Sequence, residues 1–333
     1  MASYSVMSYT PEWRESYMKF VEKNFGRSAY QGRQRYLDWL YMQNPHGRRY
    51  RDFSVVVLDN SEVVGCIHKL RFELSGPGET ATLNGVAVQN LMVDVDHRNG
   101  AGFLLFRDII SKDRLFVAPG AIGEVAAAYE KLCNHHLQAY WGSKFVHPRV
   151  MQLIRRFSGG IVTRESVLES WDRIRPEGAA ISLDYSEKLD HVLSDVSPDV
   201  SLRKDFLKWR LFDETRVRTI ALFDNNGKSC LLLVVGKRKK IPVCRVFFTK
   251  FDNKEAGVLL MKAAFNLAGE LGCLVALITS NDPNMESIGI NLKIKTKNPP
   301  PQTYIYAKKT KLESLVLWPL VSDLGLEEIF GEE

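Results

Sequence analysis

At 333 residues, with 45% hydrophobic and 25% charged side chains, the chain has an ordinary globular composition and more length than one compact domain uses. Its 45 Lys and Arg against 39 Asp and Glu give a formal charge of +6, spread along the sequence without the basic blocks of a nucleic-acid arm. Nucleic acid is therefore not the expected partner, whereas a small anionic molecule is compatible. No apolar run approaches the ~20 residues that span a bilayer, so membrane insertion is set aside. The amino terminus has neither a basic n-region nor an apolar core, and a cytoplasmic location is expected. The five cysteines are widely separated with no C-x-x-C pair, and His135-His136 are adjacent instead of at ligand spacing; reduced thiols and no metal are expected.

In chain order, Tyr4 to Tyr9 reads as a strand, and Thr10-Pro11-Glu12 supplies an N-cap, a first-turn proline and an early carboxylate for a helix reaching Phe25. A second helical piece, Gln34 to Met42, stops before Asn44-Pro45-His46-Gly47. Phe53 to Leu58, the turn Asp59-Asn60-Ser61 and Val63 to Leu74 read as a hairpin. After Gly76-Pro77-Gly78 a long strand region runs to about Val95. The turn His97-Arg98-Asn99-Gly100-Ala101-Gly102 then leads into a helix through Phe103 and Ile110. A strand at Leu115 to Ala118, a helix at Gly123 to Leu132 and a strand at Leu137 to Trp141 follow.

The stretch from His147 to Pro198 is mixed in pattern and carries Ser158-Gly159-Gly160 and Arg175-Pro176-Glu177-Gly178. The expected division is thus a first domain at 1–150, a connecting segment at 151–198 and a second domain at 199–333. The second half echoes the first. Arg35 to Tyr41 is similar to Lys204 to Leu211, with Trp39 over Trp209, and a hairpin pattern follows both. At the junction matching the glycine turn stands Phe251-Asp252-Asn253-Lys254-Glu255, whose carboxylates oppose an anion.

A helix N-terminus carries unpaired N–H groups and the positive end of the helix dipole, so a glycine turn that bares it is suited to phosphate. Glycines at such a junction also serve plain tight turns. Here the strand, turn and helix order and the adjacent Arg98 favour an anion site. A dinucleotide fingerprint does not fit, because no third glycine follows at the required spacing.

These residues resemble motif A of the GNAT superfamily, Q/R-x-x-G-x-G/A, with His97, Gly100 and Gly102 at its defining positions and His97 replacing the usual Gln or Arg. Ala128-Tyr129-Glu130-Lys131-Leu132-Cys133 is similar to the family's L-Y-E-K-x-G segment, with Cys133 where glycine is usual. The resemblance implies a mixed α+β chain of two GNAT-like domains in tandem, each a mostly antiparallel sheet flanked by helices. The first domain would bind acyl-CoA as cosubstrate and the second, degenerate copy would contribute to the acceptor site. It implies CoA contacts at His97, Arg98, Asn99, Gly100, Ala101, Gly102 and Phe103, and thioester contact from a bulged strand at Leu91, Met92 and Val93. Tyr129 is implied as the acid for the departing thiolate, with Asp94 and His136 as candidate bases.

The stretch Trp39 to Gly47 and the duplication are similar to GNAT proteins that N-acylate nucleotide-linked amino sugars for surface polysaccharides. A dTDP-linked amino dideoxysugar is the acceptor this implies, in a cleft between the domains, with Arg48, Arg49, His68, Arg71 and Asn84 as candidate contacts. A peptide-modifying or aminoacyl GNAT and a non-catalytic acyl-CoA-binding module remain the alternatives, and homo-oligomerisation is left open.

Overall fold

The computed structural model describes residues 3–27, 29–59, 61–75, 82–113, 115–121, 123–196, 201–212, 219–297, 302–307, 318–321 and 327. The chain begins with β1 (Tyr4–Ser8), α1 (Arg14–Phe25), α2 (Gln34–Tyr41), β2 (Phe53–Leu58), β3 (Glu62–Ser75) and β4 (Thr82–Val93). It continues through α3 (Arg98–Lys112), β5 (Leu115–Ala121), α4 (Gly123–Leu132), β6 (His135–Gln138) and β7 (Tyr140–Phe145). Then come α5 (Val150–Phe157), α6 (Arg164–Ile174), β8 (Ala179–Ser182), α7 (Glu187–Val196), β9 (Ser201–Leu202) and α8 (Lys204–Leu211). The rest is β10 (Ile220–Asp224), β11 (Cys230–Arg238), β12 (Ile241–Lys250), α9 (Lys254–Glu270), β13 (Val275–Ser280), α10 (Met285–Asn291), β14 (Lys295–Thr296) and β15 (Gln302–Ala307).

These elements form two compact units, Met1–Leu137 with Leu202–Phe206 and Thr303–Ser314, and Gln138–Ser201 with Leu207–Gln302 and Leu315–Glu333. Within the expected connection at 151–198, the described residues to 196 supply α5, α6, β8 and α7 of the second unit, with Val167, Leu189 and Val192 fully buried. The glycines that suggest a linker make turns there, Gly159 at φ 93° and Gly178 at φ 85°, a region that favours glycine.

In the first unit the sheet order is β1-β2-β3-β4-β5-β15-β6, with β9 paired to β3. The β1 to β4 pairs are antiparallel, while β4 and β5 run parallel because α3 crosses between them. β3 is buried on both faces, so its successive side chains meet opposite environments. On one face His68 is fully enclosed: Tyr17 Oη lies 3.0 Å from Nε2, Tyr41 Oη 2.7 Å from Nδ1, and the Phe53 ring stacks at 4.3 Å. Tyr17 donates its own proton to the Gln31 carbonyl, which leaves it to accept from Nε2–H while Tyr41 donates to Nδ1. The imidazole is thereby fixed as one neutral tautomer, and burial pushes its pKa down to about 3.

On the other face Lys69 and Arg71 enter a buried ion cluster beneath α3. Arg71 contacts Asp52 at 2.7 Å and Asp113 at 3.3 Å, and Lys69 contacts Asp108 at 3.0 Å. Asp108 also accepts from Ser54 at 3.0 Å and pairs with Lys112. The sequence places His68 and Arg71 at an acceptor cleft; both are instead core residues whose polar atoms are already satisfied from within the first unit.

The second unit's sheet runs β14-β7-β13-β12-β11-β10-β8, with β12 and β13 parallel across α9 and antiparallel pairing elsewhere. The succession β10-β11-β12-α9-β13 repeats β2-β3-β4-α3-β5, as the internal echo predicts. Two mixed, mostly antiparallel sheets flanked by helices are the expected fold class.

Because folded His68 resists a proton that the unfolded chain takes up, stability is fully present above pH 6.5 and is lost as pH falls toward 3. In urea titrations the slope of unfolding free energy against pH should exceed that of His68→Gln by up to ~1.4 kcal/mol per pH unit across this window. Equal slopes would mean that His68 is protonated in the folded protein.

Candidate functional site

The site begins with a strand that leaves one neighbour while keeping the other. β4 pairs with β5 at Val86↔Phe116 and Ala87↔Val117, whereas its ladder with β3 continues to Gly65↔Val93. The two ladders part after Ala87, and a bulge in β4 follows. His68 faces Gln89 and Cys66 faces Met92, so Asn90 and Leu91 together oppose Ile67. Asn90 has φ 50°, in the left-handed region that asparagine tolerates better than most residues. Its carboxamide is held at both ends: Oδ1 accepts from Gln31 at 3.1 Å and Tyr30 at 3.4 Å, and Nδ2 donates to Tyr36 at 3.1 Å. Cys66 donates its S–H to the Asn90 carbonyl at 3.6 Å.

Beyond the bulge lies a cavity of about 540 Å³. Its walls are Leu91, Met92 and Val93 of β4, Arg98, Gly102, Phe103 and Phe106 of α3, and Val125 and Ala128 of α4. The structure thus gathers six of the residues expected at the CoA site. Phe103 is 69% exposed and Arg98 is exposed as well, so an apolar ring and a cation stand at the rim.

The helix starts earlier than its apolar pattern suggests. α3 begins at Arg98, so Gly100 and Gly102 lie inside its first turns and not in a turn before it. His97 occupies the N-cap without a side-chain bond to the helix, which leaves the first N–H groups uncapped by it. Instead its Nδ1 bonds Tyr4 Oη at 3.0 Å, and the two rings meet edge to face. The glycines serve different ends. A Cβ on Gly100 would stand 3.2 Å from the Tyr4 ring, whereas one on Gly102 would meet only Val93 at 3.8 Å and project beside the cavity wall. Ala101 is fully buried in the core, and the Asn99 side chain lies outside the described residues.

The second unit provides an internal contrast. β12 keeps a bulge, with Phe247 unpaired against β11, but β12 and β13 hold register over Val243–Val246. Past the bulge Thr249 Oγ1 bonds Ser280 Oγ at 2.5 Å, and the Phe251 N–H donates to Asp282 at 2.5 Å. Phe247, Phe248 and Phe251 are buried. Asn253 caps α9 by accepting from the Ala256 N–H at 2.9 Å. The equivalent stretch thus carries buried phenylalanines, and its crossover helix is capped by a side chain where α3 is not.

The three candidate catalytic residues do not converge on the cavity wall. Tyr129 comes nearest: it follows Ala128 on α4 and packs edge-to-face on Phe106 at 4.9 Å. Its hydroxyl is buried with no hydrogen-bond partner among the described residues, and burial holds its pKa well above the usual range. Asp94 is buried at the end of β4, where it bonds Lys23 at 2.5 Å and accepts from the Asp96 N–H at 3.4 Å. Burial acts to raise its pKa, but the ammonium and the N–H outweigh it and hold the carboxyl below the usual range. His136 is exposed on β6, with its ring 6.3 Å from Tyr304. Of the acceptor candidates, Arg48, Arg49 and Asn84 are exposed, and Asn84 sits opposite Glu73 in the β3–β4 ladder.

Sequence reasoning passed over Asn90, Gln31 and Tyr36, which fix the bulge, and Phe106 and Val125, which line the cavity. An asparagine amid the apolar run Val86 to Val93 was the available signal, since asparagine is depleted in strands and enriched where φ turns positive. Among the described residues no group of three His, Cys, Asp or Glu is placed to hold a metal.

No protein-family model matches the chain, and no curated protein matches its sequence. Solved structures do share its fold. Saccharomyces cerevisiae N-myristoyltransferase with bound myristoyl-CoA aligns over 91% of this chain and 82% of its own, at TM-score 0.57 and 12% identity. Another structure of that protein with myristoyl-CoA gives 92% and 79%, TM-score 0.56 and 11% identity. A Pyrococcus horikoshii protein described as an acetyltransferase aligns over 94% of this chain and 92% of its own, at TM-score 0.56 and 12% identity. The chain therefore shares with these structures the tandem GNAT-like fold of two mixed, mostly antiparallel sheets flanked by helices.

Proposed function

We propose that the chain is an acyl-CoA-dependent N-acyltransferase whose thioester lies in the cavity between β4, α3 and α4. The observation that carries this reading is the parting of the two ladders: β4 leaves β5 after Ala87 yet stays with β3 through the bulge to Val93, and α3 starts beyond it with no side-chain bond from its N-cap His97. An extended pantetheine can take up the backbone groups that β5 leaves unpaired, and the pyrophosphate meets the first N–H groups of α3 with Arg98 alongside. A β4 N–H facing the cavity then stabilises the charge that builds on the thioester oxygen.

In the reaction the free amine adds to the thioester carbon, the C–S bond breaks as the carbonyl reforms, and the thiolate takes a proton. Tyr129 is the proposed donor, a neutral hydroxyl with no partner among the described residues. The ammonium of the addition product must also lose a proton. Asp94, held as an anion by Lys23, is a weak acceptor, which leaves exposed His136, or water reaching the amine, for that role.

The acceptor we propose is the amine of a nucleotide-linked amino dideoxysugar, with Arg48 and Arg49 as exposed cations for its pyrophosphate. A thiol-release assay with acetyl-CoA tests it. Turnover with dTDP-amino sugars is expected; turnover only with peptides would replace the acceptor, and CoA binding without turnover of any amine would favour a binding module.

Two substitutions separate the parts. Gly102→Asp sets a carboxylate beside the pyrophosphate path without touching Tyr4 and should weaken CoA binding about tenfold or more, equivalent to ~1.4 kcal/mol; unchanged affinity removes the phosphate from this helix end. Tyr129→Phe deletes a buried unpaired hydroxyl, so the fold should hold or gain up to ~1 kcal/mol in urea unfolding while the chemical step slows. An unaltered single-turnover rate in this variant rejects the acid role.

A further inference from the structure

α5 presents an apolar stripe to solvent. Val150 is 66% exposed, Met151 71%, Ile154 54% and Phe157 56%, and Ile161 just beyond the helix is 62% exposed. At 100° per residue the four helical positions fall within an arc of about 120°, so they form one continuous face. An apolar face of this kind left in water marks an interaction surface.

Its charge selects the occupant. From Ser143 to Arg164 the sequence contains five Lys or Arg and no Asp or Glu; of these Lys144 donates to the Leu292 carbonyl and Arg164 pairs with Asp184. Arg155 is exposed and borders the stripe beside Met151. Arg149, at the start of α5, shares the single carboxylate of Glu270 with Arg173, which leaves a positive balance there. Arg156 faces inward and donates to the Gly160 carbonyl at 2.8 Å, so the inner side of the helix is fixed to the second unit and the outer side is left for a partner. A second copy docked by two-fold symmetry would bring these cationic margins against each other. An apolar stripe with a basic margin matches instead the interface of an anionic bilayer.

We propose that α5 and Ile161 form a peripheral docking surface for anionic membranes, lying in the headgroup region without crossing it. Vesicle sedimentation with the full chain tests this, using phosphatidylcholine alone and phosphatidylcholine mixed with phosphatidylserine. The protein should bind the mixed vesicles, more weakly as salt rises, and the pure phosphatidylcholine vesicles much less. Ile154→Ser with Phe157→Ser should reduce binding about tenfold or more, and Arg155→Glu should weaken it with the stripe intact. Met151→Gln, a milder change at the most exposed position, gives the same direction should the double variant fail to fold. Absence of binding to the mixed vesicles, or binding that all these variants retain, overturns the proposal. So does a dimer in sedimentation velocity that the stripe variants dissolve, since it identifies a second copy as the occupant.

Discussion

The rest of the first unit depends on the divided loyalty of β4. A strand in a sheet interior normally gives alternate backbone groups to each neighbour; here the strand keeps β3 to Val93 but releases β5 after Ala87. The released groups must find another partner or remain a cost, and a buried polar group without one costs about 1–3 kcal/mol. The bulge at Asn90 lies three residues beyond the last β5 pair and bends the released strand, and the carboxamide contacts with Gln31, Tyr30 and Tyr36 hold it there. α3 then starts close enough for its N-terminal residues to form one wall of the same cavity as the released strand.

The duplicated unit shows that the topology alone does not make a site. It repeats the strand order, the crossover helix and the bulge, yet side chains close what the first unit leaves open. Phe247, Phe248 and Phe251 are buried there, Thr249 and Ser280 bridge the strands, and Asn253 caps the helix. The contrast lies in a few side chains on one scaffold, which is why the repeated pattern alone does not say which copy carries the proposed anion site.

The parts of this arrangement legible in the sequence were those written locally. The strand, glycines and helix around Gly100 and Gly102 can be read because backbone needs select residue types at fixed spacing. Roles that depend on distant partners could not be read this way. His68 and Arg71 look like exposed cleft residues in an alternating strand, but their partners are Tyr17, Tyr41, Asp52 and Asp113, far away in sequence. The glycines of 151–198 suggest a linker because nothing local reveals that Val167 between them and Leu189 after them are buried. Gly100 misleads in a further way: its missing side chain makes room for Tyr4, ninety-six positions earlier, and only Gly102 opens onto the cavity.

Amide hydrogen exchange with and without CoA addresses the central claim most directly, because it reports on the backbone groups themselves. If the released edge of β4 and the start of α3 receive the coenzyme, protection should rise at Leu91–Val93 and Arg98–Gly102 and remain unchanged at Phe251–Gly257 of the second unit. Protection confined to the second unit, or CoA binding without any change at β4, would contradict the account.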